Sequence, residues 1–159
     1  MSPLARGLTI ASAVGAGLAA GVFFAFSTFV MRALTRLPAT QGLTAMQSIN
    51  RAAPNPLFMT ALFGTGVTCV ALAVSAGSRL DERAGMLQFV GAGLYLVVLV
   101  VTIAYHVPRN DALALVDPAG ADAARAWARY APAWTAWNHV RTAAAFLAAT
   151  TLTYSLHVD

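Results

Sequence analysis

Apolar residues run almost unbroken through four stretches of this chain, near Leu8 to Met31, Leu57 to Ala76, Met86 to Tyr105 and Val140 to Leu156. Each is close to the roughly 20 residues that a helix needs to cross about 30 Å of hydrocarbon. Polar positions collect between them, and unevenly. The second and third stretches are joined by the short turn SAGSRLDERAG, whereas the first connection runs from about Arg32 to Pro56 and the third from about His106 to Trp137. With four crossings, the two long connections fall on one side of the membrane and the short turn and termini on the other. The pattern therefore predicts an all-α fold in one integral membrane domain, 1–159: a four-transmembrane-helix bundle with two interfacial amphipathic helices on one side.

Within the long connections the period is again helical. Thr40 is placed to N-cap a helix running to about Ala53, with Leu43, Met46 and Asn50 on one face. Asp117 and Pro118 read as N-cap and first helical position of a second helix reaching about Tyr130. Pro108 is expected to end the third span, leaving His106 at a helix terminus. Gly17 and Gly21 have the GxxxG spacing that lets helices approach closely, inside the bundle or between two copies in a homo-oligomer.

Composition sharpens this picture. Hydrophobic residues make up 58% and charged residues 10% of the chain, and the mean hydropathy is +0.67. The net charge of +4 comes from scattered arginines with no lysine, which gives no basic face for nucleic acid. Cys69 is the single cysteine, so no intrachain disulfide, thiol redox pair or cysteine-based zinc site can form. The first apolar run is longer than a signal-peptide core, so we read it as a retained helix. Seven arginines (Arg32, Arg36, Arg51, Arg109, Arg125, Arg129, Arg141) flank the long connections against three (Arg6, Arg79, Arg83) on the other side. The positive-inside rule then points the long connections to the cytoplasm of a multi-pass protein of the cell membrane.

The long-connection end also carries the candidate chemistry. On a helical wheel Trp134, Trp137, Asn138 and Arg141 share one stripe, continued by Ala144, Ala145, Ala148 and Ala149; His139 points away from it. INRAAPNP brings Asn50, Arg51 and Asn55, and HVPRND brings His106, Arg109, Asn110 and Asp111. Amides, arginines and an imidazole converging between helices make a small-molecule site. Each also has a plainer reading: the tryptophans as interface belt, the asparagines as turn formers, Arg141 as a snorkelling cation.

Four motifs taken together, GVFFAFSTFVMRAL, AMQSINRAAPNPLFM, HVPRNDALA and WTAWNHVRT, resemble the anthrone oxygenase-like family of small four-span membrane proteins, from about Gly15 to Thr151. The resemblance implies oxidation of an anthrone-like, electron-rich aromatic by O2 with no cofactor. It places the family's recurring positions on Asn50, Pro54, Phe58, Pro108, Asn110, Trp137, Asn138 and Arg141; where many members have asparagine, this chain has His106. The chemistry needs a base, oxyanion donors and an apolar slot. His106, Arg141, Asn50 and Asn110 are the candidate catalytic residues, and Trp134, Trp137, Asn138, Arg109, Asn55 and Phe58 the candidate substrate contacts. The alternatives are a non-catalytic membrane module that binds a quinone, lipid, haem or partner subunit, and a haem or metal held through His106 and His139; no metal-ligand motif is assigned.

Overall fold

The computed structural model describes residues 2–158. Among them it has five helices and no strand: α1 (Pro3–Leu34), α2 (Ala39–Ala52), α3 (Pro56–Ala76), α4 (Arg83–Ala114) and α5 (Ala123–Ser155). Helices α1, α3 and α4 are long and apolar enough to cross a membrane, which makes this a membrane protein. Helix α5 is as long, but its second half carries Asn138, His139, Arg141 and several threonines. The four long helices close a ring of neighbours, α1 on α3, α3 on α4, α4 on α5 and α5 on α1.

Caps set the starts of α1 and α3. Ser2 accepts the Ala5 N–H ahead of Pro3, and Asn55 accepts the Phe58 N–H ahead of Pro56. Each side-chain oxygen satisfies one otherwise orphaned donor, while proline fills a first-turn position that has no hydrogen bond to lose. Helix α2 starts differently from the sequence expectation. It begins at Ala39 behind Pro38 without a side-chain cap, so Thr40 lies inside it.

Two further expectations are corrected. Pro108 does not end a helix: Val107 stays helical (φ −56°, ψ −54°) and the chain continues to Ala114. The reason is a π turn over Thr102–His106, in which the Val107 N–H bonds to the Thr102 carbonyl five residues back. That wide turn takes up the crowding a proline ring would otherwise cause. A matching π turn spans Phe26–Val30 of α1, closed by Met31 N–H to Phe26. Second, no separate helix follows Asp117 and Pro118. Asp117 instead accepts the Ala119 N–H in a tight turn, and α5 runs 33 residues from Ala123 to Ser155 through Pro132. Its first half is alanine-rich, the strongest helix former, and Ala128, whose carbonyl loses its partner at Pro132, is on an exposed face.

Packing is divided into two cores. Halfway along the bundle, Ala16, Ala19, Ala20 and Phe23 of α1 meet Leu62 and Cys69 of α3, Ala92, Tyr95 and Val98 of α4, and Ala144, Ala145 and Ala148 of α5. Ala144, Ala145 and Ala148 of the α5 stripe thus lie against neighbouring helices, while Ala149 borders a groove beside α1. At the long-connection end, Met31 and Leu34 of α1, Leu43 and Met46 of α2, Leu113 of α4 and Trp127, Tyr130 and Trp134 of α5 form the second core. Gln47 fixes α2 there by donating to the Leu113 and Val116 carbonyls, both at 2.9 Å, which answers the free carbonyls at the end of α4.

Candidate functional site

Between the two cores is a cavity of about 190 Å³. That is smaller than the ~300 Å³ at the low end of ligand pockets, so it suits a compact occupant. Its apolar wall includes Phe23, Phe26, Met46, Phe58 and Leu62; its polar groups come from Asn50, Thr102, His106, Asn110, Trp134 and Arg141. Both π turns face it, contributing Phe26 from one and Thr102 and His106 from the other.

Arg141 is the electrostatic centre of this space. Only 6% of it is exposed, and no carboxylate among the described residues pairs with it. Its Nη1 donates to Thr102 Oγ1 at 3.3 Å and its Nη2 to Asn138 Oδ1 at 2.7 Å, while Nε is buried with no partner among the described residues. Asn138 is fully buried and is itself fixed by donating to the Phe23 carbonyl and Ser27 Oγ, both at 2.8 Å. The guanidinium lies 4.3 Å from the Phe23 ring centre and 5.3 Å from that of Trp134. Removing such an ion from water costs on the order of several kcal/mol, and each ring returns about 0.5–2 kcal/mol. With the bonds to Thr102 and Asn138 the guanidinium is held by neutral groups alone among the described residues, and its Nε–H is left over.

His106 is 1% exposed. Its Nδ1 is 3.3 Å from the Val101 carbonyl and its Nε2 is 3.4 Å from that of Trp134. A neutral imidazole has one N–H, so it donates to only one of these oxygens; the imidazolium would satisfy both. The ring meets Trp134 edge-on at 5.0 Å and Tyr105 at 5.5 Å.

A chain of hydrogen bonds joins the remaining polar groups. Trp134 Nε1 and Tyr130 O–H both donate to Asn110 Oδ1, at 3.1 and 2.7 Å, and Asn50 Nδ2 donates to the Tyr130 oxygen at 3.4 Å. Burial pushes the Tyr130 phenol well above the ordinary tyrosine range, against a smaller opposing effect of the Asn50 hydrogen bond. It is a neutral donor at physiological pH.

The structure thus gathers His106, Arg141, Asn50, Asn110, Trp134 and Phe58 around one cavity. Four other sequence candidates do not line it. Asn138 stands behind Arg141 as its support. Trp137 is 42% exposed and lies against Tyr105 at 4.6 Å, because it falls at the edge of the α5 stripe. Arg109 points outward over the Tyr105 ring at 3.7 Å. Asn55 is used up as the cap of α3. His139 is exposed and opens on a separate groove between α1 and α5, so it and His106 do not face one another. No cluster of three or more His, Cys, Asp or Glu residues suited to a metal occurs among the described residues.

Sequence reasoning missed Thr102 and Tyr130. The signal for Tyr130 was present: Trp127, Tyr130, Trp134, Asn138, Arg141, Ala145 and Ala148 recur every three or four residues, and all are buried. Thr102 had none, since a hydroxyl in an apolar run usually bonds its own helix, as Thr102 also does to the Val98 carbonyl.

The family model described as anthrone oxygenase matches residues 57–151, covering α3, α4 and most of α5. It is the family that the sequence motifs resemble. No curated protein and no solved structure matches the chain.

Proposed function

This chain belongs to the anthrone oxygenase family, and from that premise we propose that it is a membrane-bound oxygenase which holds an electron-rich aromatic of the anthrone type as its conjugate base and passes it to O2 without a cofactor. The observation that carries this reading is a buried cation: Arg141, almost wholly buried on the wall of an apolar cavity, with neither a carboxylate partner nor a partner for its Nε among the described residues. An aromatic oxyanion supplies the missing charge. It also makes the ring electron-rich enough to reduce oxygen.

The reaction follows from those groups. His106 is the one basic side chain on the cavity wall besides Arg141, and in this reading it takes a proton from the CH₂ carbon opposite the carbonyl. The nitrogen that takes the proton is the one not donating to a backbone carbonyl, and Arg141 holds the oxygen on which the electron pair comes to rest. One electron passes to O2, the two radicals combine at the same carbon, and the peroxide takes back a proton. Loss of water, using the second C–H, leaves a new carbonyl. An anthrone and O2 give an anthraquinone and water, with every atom and electron accounted for.

We further infer that the second half of α5 is a fourth membrane crossing, that α2 lies at the interface beside the two long connections, and that the protein resides in the cell membrane. The closed ring of four long helices supports the fourth crossing.

Oxygen uptake by the purified protein with an anthrone tests the function. Wild type is expected to consume one O2 per anthrone converted. Arg141→Gln, which removes the charge, should lower the rate about 10²–10³-fold, and Arg141→Lys should restore part of it. No uptake by wild type, or full turnover by Arg141→Gln, would remove the proposal. Binding without oxygen consumption would recast the protein as a carrier of quinone-like or lipid-like molecules.

A further inference from the structure

This inference rests on the reading above and concerns which aromatic the cavity selects. The starting point is Trp134, whose indole N–H can only donate. The atom of Asn110 at 3.1 Å from it is therefore the oxygen. Tyr130 has one hydroxyl proton, and at 2.7 Å it is given to that same oxygen. The phenol oxygen can then only accept from Asn50, so the Asn50 atom facing it at 3.4 Å is the nitrogen. A single fixed donor thus sets the polarity of the whole chain.

Two atoms are left over, Nδ2 of Asn110 and Oδ1 of Asn50, and neither has a hydrogen-bond partner among the described residues. Both residues line the cavity, from α4 and α2, and both are half-buried. One supplies a donor and the other an acceptor, tied together through Tyr130. A hydroxyl group uses both, accepting from Asn110 and donating to Asn50. An ether can use only the donor. An ionised oxygen would be opposed by the Asn50 oxygen.

We propose that the Asn50–Asn110 pair is a hydroxyl-reading element, which selects aromatics that carry a neutral phenolic hydroxyl in addition to the oxygen held by Arg141. Trp134 is the wall between the two polar groups: its indole N–H reaches Asn110 and its ring lies 5.3 Å from the Arg141 guanidinium. Occupants are thus recognised at two edges of one flat ring system, ionised at one and neutral at the other.

Binding of probes that O2 does not oxidise separates this from turnover. The probes are anthraquinone and its monohydroxy and monomethoxy derivatives, titrated into the detergent-solubilised protein by tryptophan fluorescence. Wild type is expected to bind at least one hydroxy isomer about tenfold more tightly than its methoxy counterpart, the worth of one good hydrogen bond. Asn50→Ala should abolish that preference, so that each hydroxy probe and its methoxy counterpart bind alike. Asn50→Asp, which keeps an acceptor, should retain it; a structural role for Asn50 would not divide the two variants in this way. Equal affinity of wild type for every hydroxy and methoxy pair, no binding of any probe, or an intact preference in Asn50→Ala would overturn the proposal. Should Asn50→Ala fail to fold, the wild-type series and Asn50→Asp decide it. A hydroxyl preference without oxygen uptake would leave this inference standing and remove the oxygenase; uptake without the preference would do the reverse.

Discussion

Midway along the bundle, Ala16, Ala19 and Ala20 of α1 meet Ala144, Ala145 and Ala148 of α5, while at the long-connection end Met31 of α1, Met46 of α2 and Trp127 and Trp134 of α5 pack together. Small side chains let helix backbones approach and leave little unfilled space. Large ones fill more volume per residue and leave a differently shaped remainder. The cavity lies where one packing regime gives way to the other, between Phe23 and Leu62 of the first core and Met46 and Trp134 of the second. That seam is also where the chain keeps its buried cation. The alanine core holds the helices together, and the aromatic core leaves room for chemistry.

Several substitutions would break or sharpen this contrast. Trp134→Ala should have the largest effect, since it truncates the second core at the cavity wall. A loss of about 3–5 kcal/mol is expected from thermal unfolding in detergent, together with loss of oxygen uptake. Ala145→Leu overpacks the first core and should cost about 1–3 kcal/mol, with the turnover of the folded fraction retained. A pair of glycines gives a finer test. A Cβ at Gly15 would run into the Thr65 hydroxyl, whereas one at Gly17 meets nothing within 4 Å. Gly15→Ala should therefore lower the unfolding temperature, and Gly17→Ala should raise it through helix propensity worth about 0.5–1 kcal/mol. Smallest of all, Trp137→Ala, outside the cavity, should change stability by no more than about 0.5 kcal/mol and leave kcat unaltered. A large loss of activity there would mean that the site extends beyond the seam.

Much of this was legible in the sequence. The four apolar runs became α1, α3, α4 and the second half of α5, and the convergence of INRAAPNP, HVPRND and WTAWNHVRT at one end holds for Asn50, His106, Asn110 and Arg141. The failures have specific causes. A wheel at 100° per residue cannot see a π turn, so the passage of α4 through Pro108 was hidden. Trp137 lay within the arc that held Arg141, but an arc of that width includes side chains at the helix flank. Asn55 was competed for by a backbone N–H, which a proline at the next position makes the better partner. The GxxxG pair, whose spacing suited contact inside the bundle or between copies, faces the open groove beside His139.

The two wide turns have a consequence for how such a protein could arise. Each closes a five-residue loop where an α-helix needs four, which amounts to one residue too many at the height of the hollow. Losing Ala104 would restore the ordinary ladder and swing Asn110 and Leu113 through about 100°, away from Tyr130 and Gln47. By that accounting a plain helical bundle and this one differ by a single residue in each of two helices, at the height where Phe26, Thr102 and His106 line the hollow.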